Sequence, residues 1–399
     1  MQRGRKLIMG GALAVAIVGL GVGQARLDAA VRSQQQVVGP IFEVDPLWPK
    51  PLPNNWIMGN VIGVGVDSND HVIIVHRGAT ITPRETGLDE GTSECCTSAP
   101  PILEFDPEGN LVRAWGGPPA DGSYVWPESN HGIGIDLEDN IWMGGNGGPD
   151  SHILQFTHDG QYIRTIGVPN QAIDSNALDH FGRVAKVAFD FPNKEAYVAD
   201  GYGNRRVAVL DMTTGAIKRY WGAYGNRPVD DYKWTDVRTA GTGWSADAKP
   251  QQQFRNPVHC AEPSNDGLIY VCDRQNNRIQ VFRPSGEFVR EAFFEPTTLG
   301  DGAIWEIAFS PDEAQTYLYV ADGKNARIHI IDRQSLTEVT TLGSGGRYPG
   351  QFQAVHSITT NSTGDIFITE TYEGRRVQKF TYKGIGPVAR HQGPAWPAE

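Results

Sequence analysis

Apolar and polar residues alternate along most of this chain with the period of two expected of half-buried β-strands, as in Arg278-Ile279-Gln280-Val281-Phe282. The alternating runs are short, and turns carrying Asp-Gly, Glu-Gly, Ser-Gly or Thr-Gly separate them. They group into a unit: an apolar strand, a tight turn, a second strand ending on a polar residue, a short loop, a third strand, and a fourth after a glycine. Six copies follow one another, at about 58–117, 130–167, 181–222, 254–294, 302–343 and 352–388. Four short strands in about forty residues make one propeller blade. The pattern therefore predicts an all-β fold, a six-bladed β-propeller. Closing the ring removes exposed edges if the last blade borrows a strand from near Ile41–Val44.

Overlaying the copies puts three histidines at one position. His131 (in NHGIGID, 130–136), His259 (in VHCAEPS, 258–264) and His356 (in VHSITTN, 355–361) occupy it in alternate copies, and Ile62, Ala185 and Trp305 occupy it in the copies between. In a six-bladed ring, alternate blades point three imidazoles at one axis from directions about 120° apart. Three neutral imidazoles with a fourth position open describe a catalytic zinc site. A lone histidine at the start of a strand is more often a packing or hydrogen-bonding residue; the alternation is what points to metal. His71, His76, His152, His158, His180, His329 and His391 have no such relation and read as surface or local structural residues.

The loops after the second strands diverge where a plain repeat would not. They place Arg77 (VHRGAT), Tyr202 (ADGYGN) and Arg274 (CDRQNN) towards the channel mouth. A tyrosine beside guanidinium groups and a divalent cation is suited to general-base work, because positive charge favours its phenolate form. On spacing alone the plainer reading, a packed Tyr202 with both arginines in surface ion pairs, carries slightly more weight.

The recurrent Asp-x-x-x-Asn-x-Arg loop resembles the NHL repeat, and several stretches together resemble something narrower. VHRGAT (75–80), NHGIGID, VADGYGNRRV (198–207), VHCAEP, VCDRQNNRIQVF (271–282), VHSI and RRVQKF (375–380) are similar to the lyase domain of peptidylglycine α-amidating enzymes, peptidyl-α-hydroxyglycine α-amidating lyase. The likeness covers roughly residues 55–385. It implies that His131, His259 and His356 bind zinc, that Tyr202 is catalytic, and that Arg77 and Arg274 are the active-site arginines. It implies cleavage of a carbinolamide, R-CO-NH-CH(OH)-COO⁻, to an amide and glyoxylate. Three departures stand out. The family's calcium uses backbone oxygens equivalent to those of Val64 and Ile133 plus an Asp after the third zinc histidine, but Ser357 stands there, which removes the only anionic ligand. Ala354 replaces a family Met, and the family's disulfide cysteines do not align with Cys260 or Cys272.

Composition fits one turn-rich domain, with 47 Gly and 26 Pro in 399 residues. A net charge of −11 argues against non-specific nucleic-acid binding and is otherwise a solubility feature. The chain reads as an export signal over 1–25, a flexible tether over 26–39, the propeller over 40–390 and a tail over 391–399. Arg3, Arg5 and Lys6 form a basic start, Leu7 to Gly23 an uncharged, mostly apolar run, and Gly23-Gln24-Ala25 a cleavage-like end. An uncleaved anchor is the alternative, and the only membrane contact expected. The protein is thus expected to be periplasmic or secreted, a monomer, acting on a small anionic or peptide substrate. Four cysteines suit an oxidising compartment. Cys260 and Cys272 fall opposite one another across a hairpin, where a bridge and two buried thiols are equally good readings; Cys95-Cys96 is a vicinal ring or free. A stretch from Lys218 to Gln253, with Trp221, Tyr224, Tyr232, Trp234 and Trp244, lengthens the connection between the third and fourth blades over the substrate entrance.

Two other functions fit the same scaffold. A zinc hydrolase would need a water-activating carboxylate, with Glu262, Glu306 and Glu370 as candidates. A non-catalytic NHL propeller binding a peptide or glycan would need neither zinc nor Tyr202.

Overall fold

The computed structural model describes residues 37–234 and 250–397. The export signal, most of the tether and Trp244 lie outside them. The described residues form six four-stranded antiparallel sheets arranged as a six-bladed propeller. The innermost strands of blades 1 to 6 are Asn60–Val66, Asn130–Ile135, Val184–Asp190, Val258–Pro263, Glu306–Phe309 and Val355–Thr360. Ring closure falls in blade 6. Its fourth strand is the first among the described residues, Val37–Asp45, paired with Arg376–Val388. The borrowed strand expected near Ile41–Val44 is therefore present and longer than read, beginning within the stretch taken as tether. The final residues also pack back: Gly343 N donates to Gly393 O at 2.6 Å and Val44 N to Ala395 O at 2.7 Å.

The period-two pattern explains where the core lies. Each blade buries both faces of its middle strands against its neighbours, so the apolar residues form a ring of six clusters, one per seam. Ile73, Val75 and Leu154 fill the seam between blades 1 and 2. Trp142, Phe181 and Val198 fill the next, and Tyr197, Trp221 and Phe282 the one after. Cys260, Ile307 and Val320 lie between blades 4 and 5, Phe42, Ile330 and Phe352 between 5 and 6, and Val61, Ile74 and Phe367 between 6 and 1. Emptying one such site, as in Val198→Ala or Ile330→Ala, costs about 1–5 kcal/mol.

One local irregularity positions the functional side chains. In blades 1, 2, 3, 4 and 6 the innermost strand slips register near its start: between Val61 and Gly63, Asn130 and Ile133, Val184 and Lys186, Val258 and Cys260, and Val355 and Ile358. The residues left out of the ladder include Ile62, His131, Ala185, His259 and His356. A bulge bends its strand and re-aims a side chain that regular pairing would direct into a seam. Here it turns the repeated position towards the axis.

Candidate metal centre and active site

The three bulged histidines meet. Their ring centroids are 4.9, 4.9 and 5.3 Å apart, and their ligand nitrogens lie within 4.8 Å of one another. All three are buried. Burial is the first cause holding each imidazole well below the usual histidine range; Arg274 adds to it for all three and Arg77 for His131 and His356. They are neutral at physiological pH, the form that ligates a metal.

The intervening blades set which ring nitrogen faces inward. Nδ1 of His131 donates to the carbonyl of Ala185 at 2.7 Å, and Nδ1 of His259 to the carbonyl of Trp305 at 2.5 Å. In blade 6 a hydroxyl is interposed. Ser357 Oγ donates to the Ile62 carbonyl at 3.1 Å, so it accepts from Nδ1 of His356 at 3.0 Å. With Nδ1 protonated and engaged outward, each ring keeps its Nε2 lone pair for a ligand. Gly132 is required by this arrangement: a Cβ there would stand 2.4 Å from the Ala185 oxygen that anchors His131. The site fits a zinc ion by its donor set, three oriented neutral imidazoles around one point.

Tyr202 reaches this point from the loop after the second strand of blade 3. Its hydroxyl is 3.0 Å from Nε2 of His131 and 3.1 Å from Nε2 of His259. Arg274, on the corresponding loop of blade 4, donates from Nη1 to the Tyr202 oxygen at 3.2 Å and lies 4.2 Å over the Trp305 ring. Its Nε has no hydrogen-bond partner among the described residues, and Asp301 is 3.9 Å from Nη2. Arg77, from blade 1, donates from Nε to the Asn130 carbonyl at 2.9 Å and from Nη2 to Asn146 Oδ1 at 2.7 Å. Burial lowers its pKa, opposed first by Tyr202 and then by Tyr372 and Asp150. Tyr202 thus packs its ring against the core cluster between blades 3 and 4 while its hydroxyl faces the histidines, and Arg274 is not in a simple surface ion pair.

Val64 and Ile133 lie deeper along the axis, lining a cavity of about 210 Å³ with Lys186 and Glu262. The carboxylates at this level share one cation: the Lys186 ammonium, its pKa raised by Glu262 and Glu306 against its desolvation, sits 3.0 Å from Glu262 and 2.6 Å from Glu306. These carboxylates are paired with the lysine, and the family's calcium, which Ser357 already put in doubt at the sequence level, gains no anionic ligand from that residue, whose hydroxyl serves His356. Glu370 is also committed, to Arg376 at 2.6 Å and to Gln378 at 2.7 Å.

The sequence reading missed Tyr372. It follows Glu370 by two residues, as Tyr202 follows Asp200, and both acids pair with an arginine six residues on. Tyr372 therefore takes the place of Tyr202 in the opposite blade. It is 45% exposed at the mouth, hydrogen-bonded to Asp301 and edge-on to Trp305 at 6.3 Å. The Asp/Glu–Arg spacing was the available signal. In the extended connection, Trp234 lies between Arg205 and Arg255, whose guanidinium carbons are 4.9 and 4.7 Å from its ring; residues 235–249 are outside those described.

Among known proteins, the chain is a distant homologue of α-amidating lyases and of NHL-repeat proteins. It is 24% identical to peptidyl-alpha-hydroxyglycine alpha-amidating lyase 1 of Drosophila melanogaster, over 85% of this chain and 59% of the fly protein. It is 27% identical to peptidyl-glycine alpha-amidating monooxygenase B of Xenopus laevis, over 71% of this chain and 29% of that protein. NHL repeat-containing protein 3 of Mus musculus is 25% identical, over 77% of this chain and 72% of that one. The match thus spans about three-fifths of the fly protein and under a third of the frog one. A solved streptogramin B lyase aligns with a TM-score of 0.48 at 12% identity, over 88% of this chain and 99% of its own. No protein-family model matches the chain.

Proposed function

We propose that this protein is a zinc-dependent lyase that cleaves an N-acyl or peptidyl α-hydroxyglycine to the amide and glyoxylate. The observation that carries the reading is the Tyr202 hydroxyl, held within 3.1 Å of two inward imidazole nitrogens and 3.2 Å of the Arg274 guanidinium. The likeness to the fly lyase supports it. His131, His259 and His356 would hold the metal, which as a Lewis acid makes a bound hydroxyl more acidic.

The chain's own residues account for the rest. Arg274 keeps a donor on the Tyr202 oxygen, which stabilises that oxygen as an anion. Tyr202 is then positioned to accept the proton of the substrate carbinol. Loss of that proton lets the C–O bond become the aldehyde C=O while the C–N bond breaks, with its electron pair leaving on nitrogen, which takes the proton back from the Tyr202 hydroxyl to become the amide. Arg77 and Arg274 supply positive charge at the mouth for the substrate carboxylate. Asn146 and the Asn130 carbonyl hold Arg77 in place for this task.

The hydrolase alternative lacks its base, because Glu262, Glu306 and Glu370 are each tied to a cation. A non-catalytic propeller, suggested by the likeness to NHL repeat-containing protein 3, gives no reason for the three Nδ1 anchors. We also place the protein in an oxidising compartment outside the cytoplasm, a reading supported by the bridged pairs Cys260–Cys272 and Cys95–Cys96. The deciding experiment is metal analysis of the purified protein followed by glyoxylate release from α-hydroxyhippurate. Zinc-loaded protein that releases none from any α-hydroxyglycine overturns the reading.

A further inference from the structure

A second group of ligand-type side chains gathers at the seam of blades 1 and 2, on the face opposite Arg77, Tyr202 and Arg274. Asp67 follows the innermost strand of blade 1, Glu104 lies on its third strand, Ile102–Phe105, and His158 follows the third strand of blade 2, His152–Phe156. Nε2 of His158 is 3.0 Å from Asp67 Oδ2 and 3.4 Å from Glu104 Oε2. The ligand atoms of all three lie within 4.8 Å of one another. Both carboxylates are deep, with side chains 0% and 2% exposed.

Two observations place a cation among them. Asp67 Oδ1 accepts the backbone N–H groups of Asn69 and His71 at 2.9 and 2.8 Å, whereas the buried Oδ2 has no hydrogen-bond partner among the described residues. His158 approaches that oxygen closely yet is not hydrogen-bonded to it. Two bonds of about 2.1 Å in a tetrahedral site put donor atoms about 3.4 Å apart, the separation of His158 Nε2 from Glu104 Oε2, and the 3.0 Å to Asp67 Oδ2 is a little shorter.

The second observation is charge. Arg113 Nη1 donates to Oε1 and Oε2 of Glu104 at 2.9 and 2.8 Å, and lies 3.3 and 3.5 Å from the two His158 nitrogens. His71 Nδ1 is 2.7 Å from Glu104 Oε1 and 3.9 Å from Asp67 Oδ2. Among the described residues Arg113 is thus the one fixed cation at two buried carboxylates, with His71 and His158 adding positive charge only when protonated, and an uncompensated buried charge is strongly unfavourable. Arg113 is on the outermost strand with its side chain 41% exposed, so it can turn to solvent when another cation enters.

We propose that Asp67, Glu104 and His158 form a second divalent-metal site, for zinc or a similar first-row ion, that fastens blade 1 to blade 2. His71 holds Glu104 in position. The site is independent of the lyase reading, and metal stoichiometry tests it. Protein equilibrated with zinc and then desalted should carry two zinc ions per chain. His131→Ala should keep one, His158→Ala one, and the double variant none; Arg113→Gln, which removes no ligand, should keep two. Zinc should also raise the melting temperature of His131→Ala but not of the double variant. His158 sits on a half-buried turn, and Asp67→Asn is a second probe should that substitution disturb folding. A parent with a single zinc that His131→Ala abolishes overturns the proposal. So does a second zinc that survives both His158→Ala and Asp67→Asn.

Discussion

Arg274 donates to the phenolic oxygen of Tyr202 at 3.2 Å while its guanidinium carbon lies 4.2 Å from the centre of the Trp305 ring, so the group that stabilises the tyrosine oxygen is itself held at an aromatic face. Tyr202→Phe removes the proton acceptor and leaves the triad, both arginines and Trp305 in place. Glyoxylate release by the zinc-loaded variant should fall about 10²–10⁴-fold, with substrate binding changed far less. Steady-state kinetics on matched zinc-loaded samples check this. A parental rate would remove Tyr202 from the mechanism.

Ser357→Ala breaks the link from His356 to the Ile62 carbonyl without touching a ligand atom. Losing such an orienting partner typically weakens metal binding about 10–100-fold. Competition with a chelator should show that loss, with far-ultraviolet circular dichroism unchanged. Ser357→Thr keeps the hydroxyl and should bind zinc more tightly than the alanine variant.

Cys260 and Cys272 are directly paired across the first hairpin of blade 4, with Cα atoms 4.9 Å apart and a disulfide between them. A bridge closing a loop of this size contributes about 3 kcal/mol in the chain-entropy account. The Cys260→Ala/Cys272→Ala protein should unfold at lower denaturant concentration by roughly that amount. Thiol titration of the denatured, unreduced parent should find neither cysteine free.

His329 is buried between Asp322 and Glu338, at 3.1 and 2.5 Å. Burial disfavours its charged form, but the hydrogen bonds to both carboxylates outweigh this and raise its pKa to about 9. Because the folded value lies above the unfolded one of about 6.5, the stabilisation is complete below that pH and lost as pH rises through about 9. Melting temperature should fall between pH 7 and 10 more steeply for the parent than for His329→Gln. Parallel curves would show that His329 stays neutral.

The fold was legible because its information is local and repeated: the strand alternation recurs in six copies, and the Asp–Arg spacing in the third, fourth and fifth. His131, His259 and His356 were legible for the same reason, as one position seen in alternate copies. The register slips that aim them were not, since a bulge depends on the pairing partner rather than on its own strand. Tyr372 was passed over because its copy departs from the Asp-loop, with Glu370 in place of Asp. His158 had no visible relation to Asp67 and Glu104, for that contact exists only once blade 2 packs on blade 1. The pairing of Lys186 with Glu262 and Glu306 joins three blades, and no spacing within one repeat encodes it.

The alternation of blades divides labour in a way that bears on how such a site can diversify. At the odd-numbered blades the repeated position serves the centre through its main chain, and it carries residues as unlike as Ile62, Ala185 and Trp305. A carbonyl is supplied by every amino acid, so these three side chains escape the constraint that ties His131, His259 and His356 to one chemistry. Selection can therefore reshape the walls beside the triad, small at Ala185 and broad at Trp305, without disturbing how the imidazoles are held. The shape of the lining and the orientation of the imidazoles become separately adjustable properties of a single ring.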